Sequence, residues 1–246
     1  MPLTDGMPPQ RFPIVTVLIV VANLAVWIFY QLPNFETSVV DSSFYACSVD
    51  GSCRPELPGY VSWFTAMFMH GSWSHILGNM WFLALFGKNV EDAFGHLRYL
   101  LMYLAGGFAA TGLQTIMTLI AGSPADAKVP MLGASGAIAA VLGAYWVLYP
   151  GARILTLVFV FFVRIKAWVL LGLWFLYQLV AANMGVFAAG GDDGGTAFFA
   201  HVGGFVFGVI AATALARSGQ RRDRRALDAF PAGRARMPAA RFAGRG

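Results

Sequence analysis

"MLGASGAIAAVLGAYW", Met131–Trp146, decides how this chain is read. It is a run of small and apolar residues carrying a single hydroxyl, Ser135, with Gly133, Ala134 and Gly136 around it. Two readings compete for that serine. It packs a helix against its neighbours, or it is a nucleophile set inside a membrane. The surrounding composition settles the solvent first. Of 246 residues, 58% are hydrophobic and 12% charged, against about 25% charged in a soluble domain. Mean hydropathy is +0.64. The chain is expected to be all-α, a polytopic membrane protein.

A spanning helix needs about 20 mostly apolar residues. Six segments qualify, near 14–32, within 60–87, and near 97–121, 132–149, 167–189 and 197–217. The first lacks the small-x-small cleavage pattern of a signal peptide and is expected to be retained. "ILTLVFVFFV", Ile154–Val163, is about half a span and is flanked by Arg153 and Arg164. It is read as an interfacial or re-entrant stretch. Three parts follow: a short N-terminal segment at 1–11, a six-helix core at 12–217, and an Arg-rich tail at 218–246 expected to be disordered.

Charge fixes the orientation expected. With the N-terminus inside, the inner set is Arg11, Lys88, Arg98, Arg153, Arg164, Lys166 and nine arginines from Arg217 to Arg245, against Arg54 and Lys128 outside. The positive-inside rule therefore predicts both termini in the cytoplasm. The basic excess is a tail beside a membrane, not a nucleic-acid face; no nucleic-acid partner is expected, and membrane lipid is. Cys47 and Cys53 share one outer loop, where either a disulfide or two free thiols is allowed.

Polar side chains within spans are costly and default to functional hypotheses. They are His70, His75 and Asn79 in the second span, Gln114 in the third, Ser135 in the fourth, Gln178 and Asn183 in the fifth, and His201 in the sixth. His75 and Asn79 are four apart and share a helix face. The second, fourth and sixth spans run inward, so at about 1.5 Å per residue their polar groups reach one depth. Gly136, Ala140 and Gly143, with Gly204 and Gly208, provide faces for close helix approach. That approach brings a serine within reach of an imidazole, and His201 is the base available. No carboxylate within the spans can orient it, so a dyad is expected. The N–H groups at the start of the fourth helix, those of Ser135 and Gly136, with His75 and Asn79, form the expected oxyanion site.

"HGSWSHILGNMWFL", "GASGAIAAVLG" and "AHVGGFVFG" together resemble the signature segments of the rhomboid family of intramembrane serine proteases. The resemblance covers roughly 12–217. It implies a six-helix core with Ser135 as nucleophile, His201 as general base, His75 and Asn79 at the oxyanion, and His70 structural. The implied reaction hydrolyses peptide bonds in or near the membrane helices of single-span protein substrates. It also implies a bacterial inner or plasma membrane with the site open to the outside. No metal or cofactor is required. A proteolytically inactive member that binds membrane clients is the main alternative, and a haem or metal protein using His70, His75 and His201 is a weaker one. In some members an aromatic one turn after the nucleophile stacks on the histidine. Here that position is Ala139. Some bacterial members carry a Trp-Arg pair in the first outer loop; here Cys53-Arg54 stands without the tryptophan.

Overall fold

The computed structural model describes residues 1–187 and 197–229. Met1–Thr213 form one compact unit, and Ala214 begins a second. The first unit is predominantly helical. In order come β1 (Pro2–Thr4), α1 (Ile14–Ala25), α2 (Phe35–Ser42), α3 (Cys47–Asp50), α4 (Gly59–Thr65), α5 (Trp73–Phe82), α6 (Lys88–Phe94) and α7 (His96–Ala121). Then follow α8 (Ser135–Leu148), β2 (Arg153–Val158), β3 (Phe161–Lys166), α9 (Ala167–Phe187) and α10 (Phe198–Ala229). Wide π-helical turns extend α1 over Val26–Gln31 and α5 over Leu83–Gly87.

Three helical stretches among the described residues are long and apolar enough to cross a membrane: Ile14–Ser42, His96–Ala121 and Phe198–Leu215. The apolar parts of α8 and α9 are shorter. Enclosure explains α8. Every residue from Gly136 to Tyr145 is buried, so this helix meets other helices rather than lipid and needs no full bilayer length. Its 14 residues rise about 21 Å, against about 30 Å of hydrocarbon.

The contact of α8 with α10 is made backbone to backbone. A Cβ on Gly204 would collide with the carbonyl oxygen of Gly136, and one on Gly208 with that of Ala140. On α8, a Cβ at Gly143 would strike the carbonyl oxygen of Phe205. These small residues lower the spacing between the helices, which is what a short side chain such as serine needs to reach across.

The hydrophobic stretch expected to be interfacial or re-entrant forms a β-hairpin, a departure from the all-α expectation. Arg153 pairs with Lys166 and Val158 with Phe161, about a turn at Phe159–Val160. Phe159 takes φ +53°, a left-handed conformation that bulky residues adopt only at a cost. The central strand β2 also pairs with β1 from the far N-terminus. Ile154 and Thr156 are buried while Phe159–Phe162 are exposed. The run is apolar on both faces, so it carries no alternation to announce a strand. Its β-branched and aromatic residues favour extended backbone, and a distant strand supplies the missing partner.

α10 continues past Arg217 to Ala229. The remainder of the tail, 230–246, and the loop acids Asp192 and Asp193 lie outside the described residues. In the first loop Cys47 and Cys53 are joined in a disulfide, packed with Ala46 and Ala127.

Candidate active site

The site begins with a helix start. Phe44 and Met131 exchange backbone hydrogen bonds of 3.0 and 2.7 Å, and the Gly133 N–H donates to the Ala66 carbonyl at 2.8 Å. These bonds hold residues 131–133 outside any helix. Gly133 then turns the chain at φ +124°, a region that glycine alone enters freely. The spacing of the sequence placed Ser135 a few residues inside the fourth helix. It is the first residue of α8. The earliest bond of the helical ladder runs from Ile138 N–H to Ala134 O, 3.0 Å. The N–H groups of Ser135 and Gly136 therefore precede that ladder.

Gly133 also leaves room beside the serine. A methyl group there would lie 3.0 Å from Cε1 and Nε2 of His75 and 3.6 Å from Ser135 Oγ. The space between the two side chains is thus the size of one small group. Gly136 serves packing at the same place, since a Cβ on it would come within 2.5 Å of the Ala110 side chain.

His201 lies near the start of α10, where the Gln114 side chain accepts the Ala200 N–H at 3.2 Å. The imidazole bridges two partners. Nε2 is 2.8 Å from Ser135 Oγ, and Nδ1 is 2.9 Å from Gln178 Oε1. Both ring nitrogens are thereby engaged. Trp174, one turn before Gln178 on α9, sets its ring 5.9 Å from the imidazole at 38°. Ser135 and His201 are half-buried.

α5 presents the remaining groups. Ser72 caps it by accepting the His75 N–H at 3.2 Å, an ordinary N-cap. His75 Nδ1 accepts the Gly71 N–H at 3.3 Å, which leaves the proton on Nε2, the nitrogen that faces Gly133. Asn79 follows one turn later, buried, and its side-chain N–H₂ has no hydrogen-bond partner. His70 is fully buried behind His75, edge to face at 5.0 Å between ring centroids. The Gln31 amide clamps its backbone with bonds of 2.9 and 2.8 Å.

Ser135, His201, His75 and Gly136 thus converge, and His70 stands behind His75, with Asn79 one turn further along α5. Asn183 does not join: its amide bonds back to Leu179 O in its own helix. Of the two neighbours of the imidazole, Gln178 is among the polar residues the sequence marks within the spans, without a role assigned to it, and Trp174 is not marked at all. A search for a carboxylate, or for an aromatic at position 139, passes over both. The signal available was their i, i+4 spacing, which puts a polar and an aromatic group on one face of α9.

A cleft beside Ser135 is lined by Met67, Gln114, Leu132 and Ala200. The arrangement holds a hydroxyl on an imidazole, with His75 across a small gap at Gly133. Such a constellation performs nucleophilic acyl transfer.

A family model described as the Rhomboid domain matches residues 58–218. Similar curated proteins include Rhomboid-related protein 2 of Mus musculus, 27% identical over 210 residues, covering 80% of this chain and 61% of the mouse protein. RHOMBOID-like protein 1 of Arabidopsis thaliana is 29% identical over 149 residues, covering 60% of this chain and 32% of that protein. The mitochondrial Presenilin-associated rhomboid-like protein of Homo sapiens is 27% identical over 139 residues, 55% of this chain and 33% of its own. The chain thus spans between about a third and three fifths of the length of these relatives.

Proposed function

Because this chain belongs to the rhomboid family, we propose that it is an intramembrane serine endopeptidase acting through a Ser135–His201 dyad on single-span membrane proteins. The observation that carries the reading is the 2.8 Å contact between Ser135 Oγ and His201 Nε2, beside a gap bounded by His75. His201 Nε2 takes the hydroxyl proton as Ser135 Oγ adds to the scissile carbonyl carbon. The carbonyl π electrons move to its oxygen, which the Ser135 N–H, His75 Nε2–H and Asn79 amide stabilise. Collapse expels the amine, which receives the proton from His201, and an acyl-serine remains. Water then repeats the two steps, with His201 again as base, and frees the acid and Ser135.

A helical substrate hides its peptide bonds, each N–H and C=O being paired internally. Unwinding near the cut is therefore required, and substrates with helix-weakening residues there are favoured. In this reading six segments span the membrane with both termini inside. The basic residues listed above support that orientation, as does the Cys47–Cys53 disulfide on the opposite side, where oxidising compartments lie. The active site then opens outward, at the outer end of α8.

The test is cleavage of a model single-span substrate in liposomes by the wild type, Ser135→Ala and His201→Ala, with fluorophosphonate labelling in parallel. Cleavage and labelling that require Ser135 support the reading. Undiminished cleavage by Ser135→Ala, or a label carried by another residue, sinks it; binding of the substrate with neither cleavage nor labelling favours a client-binding protein instead.

A further inference from the structure

His201 has one task at each nitrogen, and only one tautomer performs both. To take the Ser135 proton, Nε2 must carry the lone pair, so the ring proton must sit on Nδ1. In soluble triads a carboxylate enforces that choice. Among the described residues, the titratable group facing His201 from the packed elements is His75 on α5; α8 contributes Ser135, and α9 contributes Gln178 and Trp174, all neutral. We propose that Gln178 is the positioning residue of the dyad: its side-chain carbonyl accepts the Nδ1–H of His201 and selects the tautomer that leaves Nε2 free to act as base. The inference rests on the protease reading above.

Three observations converge on it. Gln178 is 6% exposed and lies on the buried face of α9 with Leu171 and Ala182, while Leu173, Leu176, Tyr177, Leu179 and Val180 face outward. Its Oε1 lies 2.9 Å from Nδ1, on the ring edge opposite the serine. Trp174 comes from the same face of α9 and lies beside the imidazole, where Ala139 is too small to brace it. A neutral amide also suits the place. A carboxylate buried at this depth would carry a large desolvation penalty, whereas an amide oxygen supplies the acceptor without the charge. The geometry asks for the oxygen toward His201. The reversed amide would donate to Nδ1, drive the proton to Nε2, and disable the base.

The decisive comparison sets the wild type beside Gln178→Leu, Gln178→Glu and Ser135→Ala, in detergent, with thermal unfolding and fluorophosphonate labelling as folding controls. Gln178→Leu is expected to lower kcat about 10- to 100-fold, less than the roughly 10²- to 10⁴-fold a general base itself contributes because the base remains, with KM held within about twofold. Gln178→Glu keeps an acceptor oxygen at Nδ1, so it is expected to recover most of the activity that Gln178→Leu loses. A merely structural tether leaves the His201 tautomer unchanged in Gln178→Leu. ¹⁵N spectra of histidine-labelled protein give a readout independent of turnover: His201 protonated at Nδ1 in the wild type, and a mixed tautomer in Gln178→Leu. If Ser135→Ala still cleaves, the protease reading itself falls. If Ser135→Ala is inactive while Gln178→Leu keeps the wild-type kcat, pH profile and tautomer, only the role of Gln178 is overturned. Should Gln178→Leu not fold, a wild-type His201 protonated at Nε2 rather than Nδ1 overturns the role equally.

Discussion

Two polar clusters lie toward opposite ends of α8, and they are built to opposite rules. At the C-terminal end the Tyr145 hydroxyl donates to Asp5 at 3.1 Å, Asp5 pairs with Lys88 at 3.2 Å, and Asn89 bonds to the same carboxylate. Nearby, Glu91 accepts the N–H groups of Val15 and Thr16 at 2.8 Å each and the Thr16 hydroxyl at 2.7 Å, while His96 Nδ1 lies 2.6 Å away. One carboxylate on α6 thereby caps the start of α1. At the N-terminal end, by contrast, Asn79 Nδ2 and both ring nitrogens of His70 are buried without partners. A satisfied network stabilises, and a buried group left without a partner costs free energy. Such a cost is sustained where the group serves a bond made only during the reaction. On the protease reading, the first cluster is structure, and in the second it is Asn79 whose unpartnered amide is kept for the reaction.

Substitutions separate the two, and the greatest effect belongs to the nucleophile. Ser135→Ala is expected to reduce cleavage by at least about 10³-fold, with unfolding free energy changed by no more than about 0.5 kcal/mol. Initial rates on a single-span substrate and thermal melts of the same preparation check both halves. A stability loss several times larger would erase the distinction between the clusters.

Asn79→Leu sharpens the comparison. Deleting an oxyanion donor should lower kcat about 10²-fold. Because the Asn79 amide nitrogen has no partner to lose, the melting temperature should hold or rise. A marked fall in melting temperature would place Asn79 in the structural class instead.

Glu91→Leu should do the reverse. It strands the Val15 and Thr16 N–H groups, and the expected loss is about 2–3 kcal/mol of stability. Cleavage per folded molecule should stay within about twofold of wild type, since the substitution touches no transition-state contact. Denaturation monitored beside active-site titration reads the two separately.

The smallest effect is on acidity. Burial alone would push the Glu91 carboxyl up. The Thr16 hydroxyl, the Thr16 and Val15 N–H groups and His96 outweigh it and hold the pKa below its ordinary value of 4.5. A depressed folded pKa means that the folded state binds the proton less readily than the unfolded chain. The stabilisation is therefore complete above about pH 4.5 and is lost as pH falls through the folded value. The gap in melting temperature between wild type and Glu91→Gln should be constant near neutrality and close below that range. A gap that widened on acidification would reverse the assignment.

Local pattern alone determined a good deal. Composition and apolar runs identified a helical membrane protein, because lipid demands internally paired backbone and apolar length. The His75–Asn79 spacing put two polar groups on one helix face, and the glycines of α8 and α10 marked a close contact, because 3.6-residue periodicity is a local property. Tertiary structure decided the rest. The start of α8 at Ser135 depends on Phe44 and Ala66 holding the preceding strand-like backbone, and no feature of "MLGASG" itself contains that. The hairpin at Arg153–Lys166 exists because Pro2–Thr4 returns to pair with it, across a separation that no periodicity reaches. The partner of His201 at Nδ1 is 23 residues away on another helix. Residue types and their spacing are written in the chain; which distant groups complete a hydrogen bond is settled only when the helices pack.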